Sequence, residues 1–275
     1  MTDKLLKTNL EQLIEKFSKT DVISHIEKNY KIENIRYVSY KDLCDNHFVK
    51  KIKYNPKEID SIIQSIKSNG LYNPLIVIKS PRSDKYEVLI GRKRWVACKK
   101  MKHDRIPIIV SNYNEEESLL ILLADSRENK NVNPIEVAFI IKCLNENFNY
   151  KKGDIARILH ESSAQVSNYL SLLTLPSEVI EDVSTNKLSY GHAKAISRLD
   201  ENEILSIVKL IYDKKLSVRD TESLVQRKKK KGKLKSGLNI SLEDNKIIVR
   251  GSSKTKIAKA YKIIKKSLKD LSWCC

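Results

Sequence analysis

A glycine followed by three cations stands in the stretch YEVLIGRKRWVACKKM, residues 86–101. The apolar run at 88–90 is typical of a buried strand, and the residues after Gly91 have the composition of a helix. A strand that turns into a helix at a glycine presents backbone N–H groups that bind phosphate. Since the helix dipole disfavours cations at this end, the cluster indicates an anionic ligand, unless it is a solvated surface feature. The cations are Arg92, Lys93 and Arg94.

Residues 151–176, KKGDIARILHESSAQVSNYLSLLTLP, have the spacing of a helix-turn-helix. The break falls at residues 160–162, with His160 where glycine is common. Ala156 is small enough to let the two helices cross closely. The alternative is an ordinary pair of helices in a bundle. The predicted inward-facing residues are Ile155, Ala156, Leu159, Val166, Leu170 and Leu173.

The second helix of this pair carries side chains that suit the major groove of DNA. Ser162 or Ser163 is expected to cap it. Gln and Asn amides pair bidentately with adenine, and the neighbouring side chains are small enough to enter the groove. The predicted DNA-contacting residues are Lys152, Ser162, Ser163, Ala164, Gln165, Asn168 and Tyr169.

Further cations are candidates for contact with the DNA backbone. Arg219 could reach DNA, although a surface pair with Glu222 at i,i+3 is slightly favoured. The run RKKKKGKLKSG, residues 227–237, has no apolar periodicity and predicts a disordered basic linker. Its candidate DNA-contacting residues are Lys228, Lys229, Lys230 and Lys231.

The composition favours a polyanionic partner. Of 275 residues, 52 are Lys or Arg and 34 are Asp or Glu, so the formal net charge is +18. Such an excess favours nucleic acid ahead of an anionic membrane surface, although a generally Lys-rich composition accounts for part of it.

Other features of the sequence argue against a metal site, a disulfide framework and a membrane protein. Five cysteines without paired metal spacing predict neither a disulfide framework nor a metal site. His160 and His192 have no metal-like partners nearby and are interpreted as structural. The first residues interleave charges with apolar side chains, unlike a signal peptide, and no apolar run has membrane-spanning length. We therefore expect a soluble cytoplasmic protein with no membrane contact.

The elements that must position these residues predict an α+β multidomain chain. Residues 36–114 are expected to form a small mixed α/β domain, with a helix at Pro56–Asn69 that ends at Gly70. Its predicted strands are LIVIKS, YEVLI and RIPIIVS. Residues 115–226 are expected to form an all-α domain that contains the helix-turn-helix.

The sequence predicts a smaller module at each end of the chain. Residues 1–35 begin with an amphipathic helix that either docks on a partner or caps the neighbouring domain. Its apolar residues are Leu5, Leu6, Leu10, Leu13, Ile14 and Phe17. At residues 238–275, the strands LNISL and KIIVR and a helix from about Lys254 to Leu271 predict a ββα module. Because this module is too small to bury its apolar faces alone, we predict that it homodimerises.

Several of these stretches together resemble the ParB family of chromosome and plasmid partition proteins. Their order along residues 50–226 is more specific than any single motif. GRKRWVACKK is similar to the GERRxRA box of the family, and NVNPIEVA to the segment that leads into its DNA-binding domain. The other similar stretches are VSNYLSLLTLP, LSYGHAKAI and LSVRDTESLV.

The resemblance implies a mechanism. Family members bind a palindromic, centromere-like DNA site as dimers, and in many of them the N-terminal domain binds CTP and closes into a clamp that slides onto flanking DNA. A ParA-type ATPase, usually contacted through the N-terminal segment, then moves the complex. Here the helix at residues 4–17 would be the contact.

The resemblance also assigns nucleotide-binding positions. SNGLYNPLIV matches the first nucleotide motif and GRKRW the second, where Arg92 replaces the family's glutamate and Val96 its last arginine. The third motif, ENxxR, falls on Asp125, Ser126 and Asn129, or in a shifted alignment on Glu128 and Asn129. The implied nucleotide-binding residues are Gly70, Pro74, Gly91, Arg92, Lys93, Arg94, Asp125, Ser126 and Asn129.

The sequence thus predicts a dimeric, nucleoid- or plasmid-associated DNA-binding partition protein that binds an inverted repeat and works with a ParA-type ATPase. Its expected cofactor is CTP with Mg²⁺. Because Arg92 stands where an acid is expected, we predict weak or absent hydrolysis and assign no catalytic residue. The alternatives are a ParB-like transcriptional regulator or nucleoid-occlusion factor, and a CTPase or phosphotransferase on the same fold.

Overall fold

The computed structural model describes residues 2–19, 22–23, 26, 34–49, 52–128, 133–235, 238–243 and 246–251, together with residues 257, 261 and 264. They fall into two compact units, Met1–Lys215 and Leu216–Cys275. The first unit contains a mixed β-sheet covered by helices and a helical region after it, so the predicted mixed α/β fold with a helical region is confirmed.

The sheet of the first unit has five strands in the order β1-β5-β3-β4-β2. β1 pairs with β5 and β3 with β4 in antiparallel fashion, whereas β3–β5 and β2–β4 are parallel. β1 and β2 are therefore the edge strands. The strands are β1 (Ile35–Val38), β2 (Leu43–Asp45), β3 (Leu75–Lys79), β4 (Tyr86–Ile90) and β5 (Ile106–Ser111).

Two helices, α2 (Pro56–Asn69) and α3 (Arg92–Met101), pack on one face of the sheet. Pro56 starts α2 and Gly70 ends it, as the sequence predicts. The Asn55 side chain caps the helix by accepting the Lys57 N–H. Trp95 of α3 is fully buried in this core. The other core residues include Leu43, Ile59, Leu75, Val77, Val88 and Ile108.

The opposite face of the sheet is covered by α4 (Glu115–Glu128), which in turn packs against α5 (Pro134–Phe148). Ile76 and Ile78 point to this side because side chains alternate along β3, so the strand is buried on both faces. The same core continues into the helices of the helix-turn-helix region. The predicted domain boundary at residues 114–115 stays a prediction, but the hydrophobic core runs across it.

The N-terminal helix α1 (Thr2–Ser18) packs its apolar side onto this same core. Ile14 and Phe17 are buried, and Leu10 and Leu13 lie partly buried beside them. The side chains of Leu5 and Leu6 lie outside the described part of the chain. The described apolar residues therefore cover the neighbouring domain, which was one of the two interpretations of this segment.

Short helices make up the rest of the first unit. Several begin at a side-chain cap, among them Ser162, Ser189 and Asp200, each of which accepts a backbone N–H of the first turn. The helices are α6 (Lys152–Leu159), α7 (Ser163–Leu172), α8 (Ser177–Ser184), α9 (Tyr190–Ile196) and α10 (Glu201–Lys214).

The second unit begins with a long basic helix, α11 (Val218–Lys235). The prediction of an irregular linker at residues 227–237 is therefore wrong for residues 227–235. Lys and Arg have high helix propensity, and the single Gly232 does not interrupt the helix. Residues 236–237 lie outside the described part of the chain.

A hairpin of β6 (Leu238–Glu243) and β7 (Lys246–Gly251) follows α11, which confirms the two predicted strands. The predicted C-terminal helix lies outside the described residues except for Ile257, Tyr261 and Ile264, which are helical. Homodimerisation through residues 238–275 stays a prediction. Along the part of the chain described here, no helix is both long and apolar enough to cross a membrane.

Candidate nucleotide site and DNA interface

Gly91 forms the sharp turn from β4 into α3. Its φ of 89° lies in the left-handed region, where a side chain is strained. A Cβ at this position would also lie 2.6 Å from Leu75 Cδ2 and 2.9 Å from Arg94 Nη2. No side chain caps the first turn of α3 among the described residues, so its backbone N–H groups can face an anion.

Two of the predicted nucleotide stretches meet beside this turn. Gly70 ends α2 with a φ of 82°, and the loop that follows leads through Pro74 into β3. The Arg94 guanidinium donates to the carbonyls of Asn73 and Pro74, the latter at 3.4 Å. Gly70, Pro74, Gly91 and Arg94 therefore lie in one neighbourhood. Lys93 forms a half-buried ion pair with Glu58 at the start of α2.

Arg92 occupies a different environment from its two neighbours. Its side chain is 5% exposed and forms an ion pair with Glu136 of α5, while Nη2 donates to the Val49 carbonyl at 3.4 Å. Tyr54 completes the cluster, since its hydroxyl donates to Glu136 Oε2 at 3.1 Å. The predicted nucleotide contact of Arg92 stays a prediction, and a carboxylate of the protein already binds this side chain.

The charges of this cluster stabilise one another. Burial is the largest single influence and disfavours the charged guanidinium, but Glu136 together with Tyr54, Asp45 and Asp125 raises the pKa of Arg92 overall. For the neutral Tyr54 phenol, burial has the opposite effect and raises the pKa. Arg92 opposes this rise, and Glu136 adds to it. Arg92 is therefore charged and Tyr54 neutral at physiological pH.

The third predicted motif is only partly assembled. Asp125, in the last turns of α4, lies close enough to Arg92 to favour its charged form. The Ser126 hydroxyl donates back to the Leu123 carbonyl at 2.6 Å, a bond within the helix. Asn129 lies outside the described residues. The structure thus brings Asp125 towards the basic cluster and leaves Ser126 in a helical role.

Arg127 is a residue that the sequence prediction missed. Its guanidinium donates to the carbonyls of Phe17 at 3.1 Å, Lys19 at 2.6 Å and Ile158 at 2.8 Å. These carbonyls belong to the ends of α1 and α6, so one side chain of α4 satisfies acceptors of both helices. The sequence offered one indication that Arg127 is functional, namely its position between Ser126 and Glu128 in the ENxxR-like stretch.

The helix-turn-helix forms as predicted. α6 ends at His160, whose φ of 56° makes the turn without a glycine, and the ring Nε2 lies 2.6 Å from the Ser18 carbonyl oxygen. Ser162 caps α7 by accepting the Gln165 N–H at 3.1 Å. The predicted inner residues of α6 and Val166 of α7 are buried. The fully buried residue near the end of α7 is Leu172, and Leu173 is only half-buried.

The outer face of α7 carries the predicted DNA-contacting residues in two environments. Ser162, Ser163 and Ala164 are exposed, as is Lys152 at the start of α6. Gln165 and Asn168 are half-buried and bonded to each other at 3.3 Å, from Asn168 Nδ2 to Gln165 Oε1.

Tyr190 of α9 supports this face, although the sequence prediction did not select it. Its hydroxyl accepts from Gln165 Nε2 at 2.9 Å, and its ring centroid lies 5.4 Å from that of Tyr169. Burial, with the nearby Tyr169 as a second cause, raises the pKa of Tyr190 to about 12. The hydroxyl therefore stays protonated and holds the Gln165 amide in place.

The remaining candidates lie in the second unit. Arg219 is exposed on α11, and among the ion pairs of the described residues none joins it to Glu222. Lys228–Lys231 belong to the same helix, and their side chains lie outside the described part of the chain.

The first unit combines a helix-turn-helix, whose second helix has an exposed polar face, with a mixed sheet that has a glycine turn at a basic helix. These features define a class of two-part helix-turn-helix proteins. Residues 24–127 match the family model of the ParB N-terminal domain, and residues 130–230 match that of the ParB HTH domain. The chain belongs to the ParB family, as a protein of the partition and nucleoid-occlusion type.

Two sequence relatives agree with this assignment. The probable chromosome-partitioning protein ParB of Rickettsia bellii is 32% identical over 207 residues, which cover 75% of this chain and 69% of the relative. A nucleoid occlusion protein of Geobacillus sp. is 29% identical over 201 residues, which cover 73% of this chain and 71% of the relative. The C-terminally truncated ParB of Caulobacter crescentus, complexed to the centromeric parS site, is 26% identical with a TM-score of 0.40, over 70% of this chain and 99% of that one.

Proposed function

We propose that this protein binds an inverted-repeat DNA site as a dimer and acts in plasmid or chromosome partition. The observation that supports this most directly is the outer face of α7, where the Gln165 and Asn168 amides are held in a bonded chain that ends on Tyr190. Amides held in place can read the donor and acceptor pattern of adenine in the major groove. Ser162 and Ser163, at the exposed start of the helix, would contact the phosphates on either side.

The dimer follows from the form of the predicted DNA site. Two copies related by a twofold axis would each place one α7 in the major groove, which yields two half-sites in inverted orientation. The hairpin of β6 and β7 has too few residues to bury its apolar face alone. We therefore assign the dimer contact to residues 238–275.

We further propose that the N-terminal domain binds CTP with Mg²⁺. The residues that would hold the triphosphate are the backbone N–H groups after Gly91, with Lys93, Arg94 and the loop from Gly70 to Pro74. The fit to phosphate is supported by the open first turn of α3. Bound nucleotide would supply a charged ligand between these segments and favour closure of the two N-terminal domains into a clamp on DNA.

Hydrolysis of the nucleotide is expected to be weak. Position 92 holds a buried guanidinium that is already paired with Glu136, so it supplies neither a carboxylate for the metal ion nor a free cation for the phosphates. The same feature argues against the second alternative, a CTPase or phosphotransferase whose main output is catalysis.

The partner ATPase of the ParA type would contact the N-terminal segment. Because Ile14 and Phe17 of α1 are buried in this protein's own core, the contact would use the polar face of α1. A role in nucleoid occlusion or transcriptional regulation is the competing function, since relatives such as the Geobacillus protein carry that name. The genomic position of the DNA sites separates the two.

DNA selection from a random duplex library, followed by footprinting on DNA of the same replicon, tests the proposal. We expect an inverted repeat whose half-sites are protected equally. Gln165→Ala is expected to weaken binding by about 1–3 kcal/mol at one base position of each half-site. Uniform protection across sequences would contradict the sequence-specific function.

Titration with CTP, and with ATP, GTP and UTP as controls, tests the nucleotide site in the presence and absence of the selected duplex. We expect binding of CTP that weakens in Arg94→Ala. The absence of binding to all four nucleotides would make the N-terminal domain a protein or DNA platform.

A further inference from the structure

A group of exposed cations surrounds the edge strand β1 and the loop that joins α3 to β5. This loop lies at the opposite end of α3 from Gly91. The Tyr40 N–H donates to the His103 carbonyl at 3.0 Å, and the Ser39 hydroxyl donates to Asp104 at 2.7 Å. These two bonds join the residues that follow β1 to the loop. We call these cations the edge-strand cluster: Arg36, Lys41, Lys99, Lys102 and Arg105.

The five cations of the edge-strand cluster outnumber the two described acids in the same segments. In the described part of the chain, no ion pair involves any of its members. Two acids lie in the same segments, and both are hydrogen-bonded by Ser39, Asp42 through its N–H and Asp104 through its hydroxyl. The helix dipole accounts for Lys99 at the end of α3, but the other members lie outside that helix.

An aromatic side chain orders part of this surface. Tyr37 is 58% exposed, and the Arg105 guanidinium carbon lies 4.7 Å from the centroid of its ring. A guanidinium stacked on an aromatic face keeps its edge N–H groups available while it loses little further freedom on binding. The Lys41 ammonium lies 5.9 Å from the Tyr40 ring centroid in the same turn.

We propose that the edge-strand cluster binds the sugar-phosphate backbone of duplex DNA, independently of base sequence. Exposed Arg and Lys side chains from several elements are the groups that contact phosphates. The core of a protein–protein interface is instead poor in charge and rich in apolar surface, and Tyr37 alone is a large exposed aromatic here. The proposal rests on the proposed DNA-binding function and adds a second contact, on the N-terminal domain, to that of α7.

The test measures the salt dependence of binding to a fluorescein-labelled duplex of random sequence, by anisotropy, between about 50 and 200 mM KCl. The test variant of the full chain combines Arg36→Ala, Lys41→Ala and Arg105→Ala. Loss of three phosphate contacts should reduce the slope of log K against log salt by about 2.7. The control variant combines Lys79→Ala, Lys209→Ala and Lys214→Ala, which removes the same charge from other exposed sites and should leave the slope close to that of the wild type.

Polyglutamate serves as a second, protein-like polyanion in the same titrations. Three results would overturn the proposal. They are an unchanged slope in the test variant, an equal reduction in both variants, or a test variant that loses binding to polyglutamate but binds DNA like the wild type. The last would make the cluster a site for acidic protein. Circular dichroism checks folding, and Lys41→Ala with Lys102→Ala repeats the test with the stack of Arg105 on Tyr37 intact. If the wild type bound random and selected duplexes equally, sequence-specific function would fail, whereas the slopes would still decide the role of the cluster.

Discussion

The Arg92 guanidinium and the Glu136 carboxylate are 44 positions apart in the chain and form a buried ion pair that joins α3 to α5. The sequence showed that Arg92 replaces an expected acid, but no local pattern names a partner at that distance. The pair explains why a basic residue is tolerated at a helix start, where the dipole disfavours it. Because this pair occupies the buried Arg92 side chain, we expect the less buried Lys93 and Arg94 to be the better phosphate ligands.

Removal of Glu136 should destabilise the protein strongly. Glu136→Ala leaves a buried, charged guanidinium without its partner, so we expect the free energy of unfolding to fall by about 3–5 kcal/mol. The double variant Arg92→Met, Glu136→Leu should recover most of this loss. Urea denaturation followed by circular dichroism measures both. Glu58→Ala, which removes the half-buried partner of Lys93, is the control and should cost under about 1 kcal/mol. Equal losses in Glu136→Ala and Glu58→Ala would refute the assignment.

Tyr190 should affect base discrimination more than affinity. Tyr190→Phe removes the hydroxyl that accepts from Gln165 Nε2 and frees the amide to rotate. We expect discrimination at the base read by Gln165 to fall by about 1 kcal/mol, the value of one hydrogen bond. Competition between the selected duplex and single-base variants measures it. Tyr212→Phe, which removes a 2.6 Å hydrogen bond to Asp182 away from α7, is the matched control. An equal loss of affinity for random DNA would argue against this positioning role.

Among the elements, the turn from β4 into α3 depends on Gly91. Gly91→Ala requires a strained φ of 89° and places a Cβ against Leu75, so we expect it to lower stability by about 1–3 kcal/mol and to lower Tm. Gly153→Ala is the opposite case, because a Cβ there meets no atom within 4 Å and the residue lies in α6. It should stabilise the protein by about 0.5–1 kcal/mol. Thermal unfolding compares the two, and a shift of Tm in the same direction would contradict the argument.

The elements also show how far local sequence carries a prediction. The bounds of α2, the three central strands of the sheet and the turn at His160 follow from periodicity, caps and breakers, which act over a few residues. The short edge strands β1 and β2 were not predicted. The continuation of α11 through the basic run was missed because the absence of apolar periodicity was taken as disorder. The contacts of Arg127 with the ends of α1 and α6 were missed because tertiary structure alone creates them.

For the whole molecule, the net charge of +18 is divided among sites with different expected roles. Some cations are neutralised within the fold, as Arg92 is by Glu136. The edge-strand cluster carries charge for which the described residues provide no ion pair, and the basic run of α11 adds further cations. Specific binding through α7 and non-specific binding through these cations should therefore respond differently to salt, because only phosphate contacts release counterions.

Replacement of Lys228–Lys231 by Ala tests this division. Because Ala has the highest helix propensity, α11 should remain helical while the charge is lost. Binding to selected and random duplexes should weaken alike, and the salt slope should fall by about 0.9 for each lost phosphate contact. Gln165→Ala should instead weaken binding to the selected duplex alone and leave the slope unchanged. Anisotropy titrations at several salt concentrations measure both variants. If the lysine variant lost discrimination between the duplexes, or if Gln165→Ala weakened binding to both equally, base reading would have to be assigned to a surface other than α7.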